Sequence, residues 1–190
     1  MSGGHLELEL KAVVPDPADL ERRMKAAGAT MIFRGTMDDR RYDRGSELTS
    51  RDEVLRTRRL TGETGAYESV LGWKGPTRLS ADGYKLREEL EYPVEGGAPA
   101  DPLLMALGYS VVHAIHREIV MYRLGDATVR LEHYPRMDVL VEVEGLPGAI
   151  EHAITVSGIP REHFMADSLA EFVTRFEKRT GQVALVGRDP

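Results

Sequence analysis

A chain of 190 residues, 42% hydrophobic and 29% charged, is long enough for one domain with a sizeable core and has the balance of an ordinary globular protein. Its net charge of −6 argues against nucleic acid as a partner, since long nucleic acids draw on many Lys and Arg contacts, but leaves small anions open. Cys is absent, which excludes disulfides, thiolate metal sites and a Cys nucleophile, and no apolar run reaches signal-peptide or membrane-spanning length, so the expectation is a cytoplasmic protein with no membrane partner.

In chain order, the first predicted strand is Leu6–Val13, with Glu7, Glu9 and Lys11 on one face and Leu6, Leu8 and Leu10 on the other. Asp16-Pro17 then starts a helix carrying Leu20, Met24 and Ala27, which stops at Gly28. Strands follow at Asp39–Tyr42, at Val54–Leu60 with Arg56 and Arg58 on one face, at Tyr67–Lys74, and at Lys85–Val94 with Lys85, Arg87, Glu89 and Glu91 on one face. Loops are predicted at Arg44–Asp52, Gly75–Gly83 and Glu95–Pro102, and Asp101-Pro102 opens a short helix that ends at Gly108. Val111–Arg123 and Ala127–Tyr134 form a hairpin across Gly125-Asp126, with Thr128, Arg130 and Glu132 on one face of its second strand. Val139–Glu144 presents Glu142 and Glu144 opposite Val141 and Val143. Helices are predicted at Pro147–Ser157 and Met165–Thr180, and Val183–Pro190 reads as a frayed tail beyond a single domain of residues 1–182.

Alternation of this kind usually marks a half-exposed sheet with a solvated polar face. Here the polar faces are almost wholly ionic, with carboxylates clustered on some strands and guanidinium groups on others. Eight antiparallel strands can close into a barrel, turning these faces inward and leaving the apolar faces for helices to cover. Buried charges are costly unless paired or holding a ligand. Bases of both kinds bind phosphate oxygens, and carboxylate clusters without Cys suit hard ions such as Mg²⁺ or Mn²⁺.

Glu7-Leu8-Glu9-Leu10-Lys11 resembles the ExExK motif of the CYTH family, the triphosphate tunnel metalloenzymes. The likeness continues in order through Arg41-Tyr42-Asp43, Leu55-Arg56-Thr57-Arg58, Trp73-Lys74-Gly75-Pro76, Arg87-Glu88-Glu89-Leu90-Glu91, Arg117-Glu118 with Tyr122, Leu131-Glu132 and Glu142-Val143-Glu144. The resemblance implies an α+β fold, a closed eight-stranded antiparallel β-barrel with a few covering helices. It further implies a small triphosphate as substrate and one or two divalent metals. Lys11, Arg56, Arg58, Lys74, Arg87 and Arg117 would then contact phosphate, with Arg130 added by alternation. Glu7, Glu9, Glu132, Glu142 and Glu144 would hold metal or orient water, Glu7, Glu9 and Lys11 would carry the catalytic role, and Glu89 and Glu91 would position the bases. Ile115 stands where the family often has Lys, with His116 as a partial substitute or a structural residue, and Glu132 replaces the usual Asp.

The lining serves either water attack on the terminal phosphorus or cyclisation of ATP, and a non-catalytic polyphosphate or nucleotide module is a further alternative. Class IV adenylyl cyclases carry an HF pair several residues before ExExK, whereas His5 here abuts the motif and is followed by Leu6, which favours hydrolysis. Alternation sets Trp73 opposite Lys74, so packing under a helix is expected; Arg175 or Arg179 could reach the tunnel mouth; a homodimer is compatible with the family.

Overall fold

In a computed structural model describing residues 5–94 and 100–187, nine strands form one antiparallel sheet: β1 (His5–Val13), β2 (Thr30–Asp43), β3 (Val54–Gly62), β4 (Tyr67–Lys74), β5 (Arg78–Leu79), β6 (Lys85–Pro93), β7 (Ser110–Leu124), β8 (Ala127–His133) and β9 (Leu140–Glu144). The order β1-β9-β8-β7-β2-β3-β4-β6 closes on itself because β1 pairs with β9 over Glu9–Val13 and with β6 over His5–Glu9. The barrel thus has eight staves, and β5 is a short addition on β6 inside the expected Gly75–Gly83 loop.

The apolar faces that alternate outward are covered by helices α1 (Pro17–Ala26) and α3 (Pro147–Ser157). Leu20 and Met24 of α1 and Ile150, Ala153 and Ile154 of α3 pack with Leu10, Tyr122, Val129, Leu131, Val141 and Val143 in one buried cluster. The Asp16 carboxylate caps α1 by accepting from the Asp19 N–H at 3.0 Å, and Gly158, at φ +72, ends α3. A second cluster of Ile115, Tyr134, Leu140 and Phe172 joins β7, the segment after β8, β9 and α4 (Leu169–Thr180). No helix of the described residues is long and apolar enough to cross a membrane.

Several local expectations need correction. β2 begins nine residues before Asp39: a bulge between Met31 and Phe33 breaks the period-two pattern there, and Gly35 adds no side chain to read. Helix α4 starts at Leu169, not Met165, because Ser168 and Glu171 form a capping box while the Met165 backbone bridges Lys11 in both directions at 2.9 and 2.8 Å. Asp101 is the first residue of α2 (Asp101–Ala106) and not its N-cap; its carboxylate instead accepts from Tyr42, Thr57 and Arg40. The segment from Val183 is not frayed as far as Gly187: Leu185 exchanges backbone hydrogen bonds with Arg136, and the Val186 carbonyl accepts from the His116 N–H at 2.7 Å along the stretch of β7 that β8 leaves unpaired. Residues 188–190, like 95–99 of the expected Glu95–Pro102 loop, lie outside the described residues.

Gly35 sits where the barrel wall leaves no room for a side chain. It pairs with Gly62 on β3, and a Cβ at Gly35 would lie 2.1 Å from the Thr61 carbonyl oxygen. Gly35→Ala is therefore expected to force the β2–β3 ladder apart and to destabilise the fold by at least about 1–3 kcal/mol, read as a lower midpoint in thermal or urea unfolding. An unchanged midpoint would mean that the ladder is slack at this point.

Candidate active site

Each sequence-predicted site residue faces the barrel interior, because directly opposed residues of neighbouring strands share a face. Glu7 opposes Arg87, Glu9 opposes both Lys85 and Glu144, and Lys11 opposes Glu142. Lys74 opposes Glu89, and Arg130 opposes Glu142. Among the described residues fourteen polar or charged ones are buried, and all but Asp43 and Ser157 belong to this lining.

The acids divide into three groups. Glu7, Glu142 and Glu144 each offer an oxygen within 4.8 Å of the others, an arrangement that could hold a metal ion. Glu9 lies apart from them in function: it accepts from Lys85 at 2.6 Å and Lys11 at 3.1 Å. Glu132 is likewise saturated, by Arg117 at 3.1 Å, Arg130 at 3.0 Å and the Tyr134 hydroxyl at 2.7 Å. Of the five carboxylates expected on metal, the geometry therefore gathers three, and it uses Glu9 and Glu132 to hold bases in place. Burial opposes ionisation of both, yet Lys11 and Lys85 beside Glu9, and Arg117 and Arg130 beside Glu132, hold these carboxyls below the usual range. Glu89 and Glu91 meet Arg56 at 2.7 and 2.8 Å.

Among the bases, Lys11 bridges Glu142 at 2.5 Å and Glu9, while Lys74 bonds Glu7 and lies 3.1 Å from Glu89. Arg58 grips Asp39 with two bonds, at 2.8 and 3.0 Å, and Arg117 reaches the same carboxylate at 3.0 Å. Arg87 is spent differently, donating to the backbone carbonyls of Gly75 and Asp52, both at 2.6 Å, so it fastens two loops to the barrel. Among the described residues two buried side-chain donors have no partner, Arg56 Nε and Arg117 Nη1. An orphaned buried donor is costly, and an anion in the lumen would satisfy both.

Ile115, which stands where the family resembled often has Lys, is buried beside Tyr134, Leu140 and Phe172. His116 points to the other face of β7, its Nδ1 2.7 Å from Asp38, and does not replace that Lys. Trp73 also faces outward and donates to Glu53 at 3.4 Å; it belongs to neither buried cluster, so packing under a helix is not what holds it. Arg175 and Arg179 pair with Asp167 and Asp138, and Arg175 stacks over the ring of Phe172. A cavity of about 650 Å³ touches Asp39 and Arg58 but also outward-facing Arg40 and His116, and none of the acidic triad borders it. The site accordingly rests on the charged lining and not on that cavity.

Sequence reasoning missed Asp39, and it placed Lys85 on the ionic face of its strand without giving it a role at the site. Asp39 was masked by the bulged and Gly-interrupted pattern of β2.

Glu144 has no ion-pair partner among the described residues. Burial and the neighbouring Glu7 and Glu142 push its carboxyl from the ordinary 4.5 up to about 7. A folded-state pKa above the unfolded one means that the native state binds more protons between these values. Stability from this group is thus full below about pH 4.5 and is lost as pH rises towards 7, on the order of 3 kcal/mol. In EDTA, Glu144→Gln is expected to be more stable than the unaltered chain at pH 8 and no more stable at pH 4.5, as thermal melts across that range would register; a constant difference at every pH would contradict the assignment.

No family model and no curated protein matches this chain. Solved structures do. A candidate adenylate cyclase from Vibrio parahaemolyticus superposes with a TM-score of 0.75 at 17% identity, over 90% of this chain and 99% of that one. The PH1819 protein of Pyrococcus horikoshii OT3 gives 0.72 at 22% identity, over 89% and 98%. HpAC1 from Hippeastrum, a candidate adenylyl cyclase with a dominant triphosphatase activity, gives 0.59 at 16% identity, over 94% and 96%. The chain shares the fold of these proteins, in agreement with the ordered strand motifs.

Proposed function

We propose that this chain is a triphosphate tunnel metalloenzyme, a divalent-metal-dependent phosphohydrolase acting on inorganic triphosphate or a small organic triphosphate. The observation that carries the reading is the juxtaposition of the Glu7, Glu142 and Glu144 carboxylates with a wall of bases that includes two orphaned guanidinium donors. Either half alone has a simpler meaning. Acids alone would suit a cation store, and bases alone an anion trap. Together they match a polyanion that arrives with its metal.

The residues fit such an ion: three carboxylates within reach of one another, one of them without a cation, is an oxygen donor set suited to Mg²⁺ or Mn²⁺. A bound ion would neutralise phosphate oxygens and activate water. The chain itself does the rest. Lys11, Lys74, Arg56, Arg58, Arg117 and Arg130 bind and orient the phosphates, and Glu9, Glu132, Asp39 and Glu89 keep those bases aimed inward before substrate arrives. Phosphoryl transfer needs this positioning and charge neutralisation more than it needs covalent chemistry. Hydrolysis is preferred to cyclisation because Leu6, not Phe, follows His5 ahead of Glu7, and HpAC1 offers a precedent for triphosphatase activity on this fold.

The test supplies tripolyphosphate, ATP and thiamine triphosphate separately with Mg²⁺ or Mn²⁺. Orthophosphate released from tripolyphosphate is the expected result. Cyclic AMP and pyrophosphate from ATP, without efficient tripolyphosphate hydrolysis, would instead make the chain a cyclase. Tight metal-independent binding without turnover would make it a binding module.

A further inference from the structure

We propose that Arg41 is a further anion-binding residue of the tunnel, holding a phosphate group of the substrate together with Arg56 and Arg117. The proposal rests on the triphosphate reading above and extends it to a residue outside the set of bases already assigned.

The register places Arg41 directly opposite Arg56 on β3 and His113 on β7, on the inward face shared with Asp39. Asp39 is already committed to Arg58 and Arg117. Among the described residues Arg41 has no hydrogen bond and no carboxylate within ion-pair distance. Its surroundings are cationic instead. Burial lowers its pKa, Asp39 raises it, and Arg56, Arg117 and Arg87 lower it further. A guanidinium kept for folding would be paired, since an unpaired buried charge is destabilising.

The neighbours point the same way. Arg56 and Arg117 are 7% and 4% exposed, and each leaves one buried nitrogen without a partner. Three guanidinium groups with unmet donors therefore line the β2–β3–β7 wall, Arg41 opposite Arg56 and Arg117 four residues along β2, opposite Met37, close enough for both to act on the Arg41 charge. An anion with several oxygens can accept from all three, and planar guanidinium groups suit phosphate geometry. Ile115, one inward step away on β7 and opposite Asp39, brings no charge to this stretch. Arg41 thus restores, from the adjacent strand, a positive group that β7 lacks.

The experiment is calorimetric titration of inorganic tripolyphosphate, in EDTA, into the unaltered chain, Arg41→Gln and Arg41→Lys, each with a thermal melt. Charge-assisted hydrogen bonds of this kind correspond to roughly 10- to 100-fold in affinity, and Arg41→Gln is expected to lose that much. Arg41→Lys is expected to lie between the two, and neither variant to melt lower, because the substitution removes or softens an unpaired charge. Unchanged affinity in Arg41→Gln, beside an unaltered chain that binds, would overturn the role of Arg41 alone. Failure of the unaltered chain to bind tripolyphosphate would overturn it along with the triphosphate reading. Should Arg41→Gln not fold, Arg41→Lys decides: weaker binding at an unchanged melting temperature supports the role, and equal binding rejects it.

Discussion

Arg117→Met is expected to cost about 3–5 kcal/mol of stability, the largest effect of any single lining substitution considered. Arg117 is 4% exposed and ties β2 to β8 from β7, donating to Asp39 at 3.0 Å and Glu132 at 3.1 Å, with its guanidinium 6.0 Å from the Tyr134 ring centre. Burial disfavours the charge, but Glu132 and Asp39 more than compensate and raise its pKa. Met fills similar space without donors, so two buried carboxylates each lose a partner. Arg58 still holds Asp39, and Arg130 and Tyr134 still hold Glu132, which places the expected cost at the lower end of that range. The pH dependence follows with a definite sign. With Arg117 gone, both carboxyls titrate closer to their unfolded values, so less stability is lost as pH falls below their ordinary 3.8 and 4.5, and the deficit of the variant should narrow in acid. Urea unfolding at pH 7 and about pH 3 would measure both effects; a loss below about 1 kcal/mol at pH 7 would mean that the network tolerates an unpaired carboxylate.

The second large effect separates the acids by role. Glu7→Gln is nearly isosteric, keeps an oxygen towards Lys74 and removes one of the three charges that could share a metal ion. Metal-dependent turnover of tripolyphosphate is expected to fall on the order of a hundredfold or more, with a weaker dependence on Mn²⁺ concentration. Glu9→Gln should behave differently. Glu9 sits between Lys11 and Lys85, outside the triad, and removing its charge leaves two buried ammonium groups facing each other. The expectation is a lower melting temperature with a smaller loss of turnover and an unchanged metal requirement. Equal loss of turnover and of metal response in the two variants would mean that the carboxylates act as one group, as the ExExK motif taken alone would imply.

That contrast shows where sequence reasoning reached its limit. Strand alternation sufficed to put Glu7, Glu9 and Lys11 on one face, and the same rule worked for Arg56 and Arg58, for Arg87 and Glu89, and for Glu142 and Glu144, because each of these strands keeps period two without interruption. The ordered motifs then implied closure, which the β1–β6 and β1–β9 pairings provide. What alternation cannot carry is partnership across the lumen. Glu9 and Glu7 are equivalent on β1, yet Lys85 on β6 claims the first, while Glu142 and Glu144 on β9 draw near the second. Register and tilt decide such matters, and neither is local. The β2 strand was hardest to read for a local reason: a bulge and Gly35 break its periodicity, which hid Asp39 at the centre of an arginine network. The capping box at Ser168 and Glu171 was a legible signal for the start of α4, overridden by the apolar run ahead of it.

The central claim is that one divalent ion is held by Glu7, Glu142 and Glu144 beside a triphosphate bound to the bases. Anomalous diffraction from crystals grown with Mn²⁺ and tripolyphosphate tests it directly. A manganese peak about 2 Å from oxygens of all three carboxylates, with phosphate density against Arg56 and Arg117, is the expected result. A peak on Glu9 or Glu132, or phosphate density outside the barrel, would contradict it.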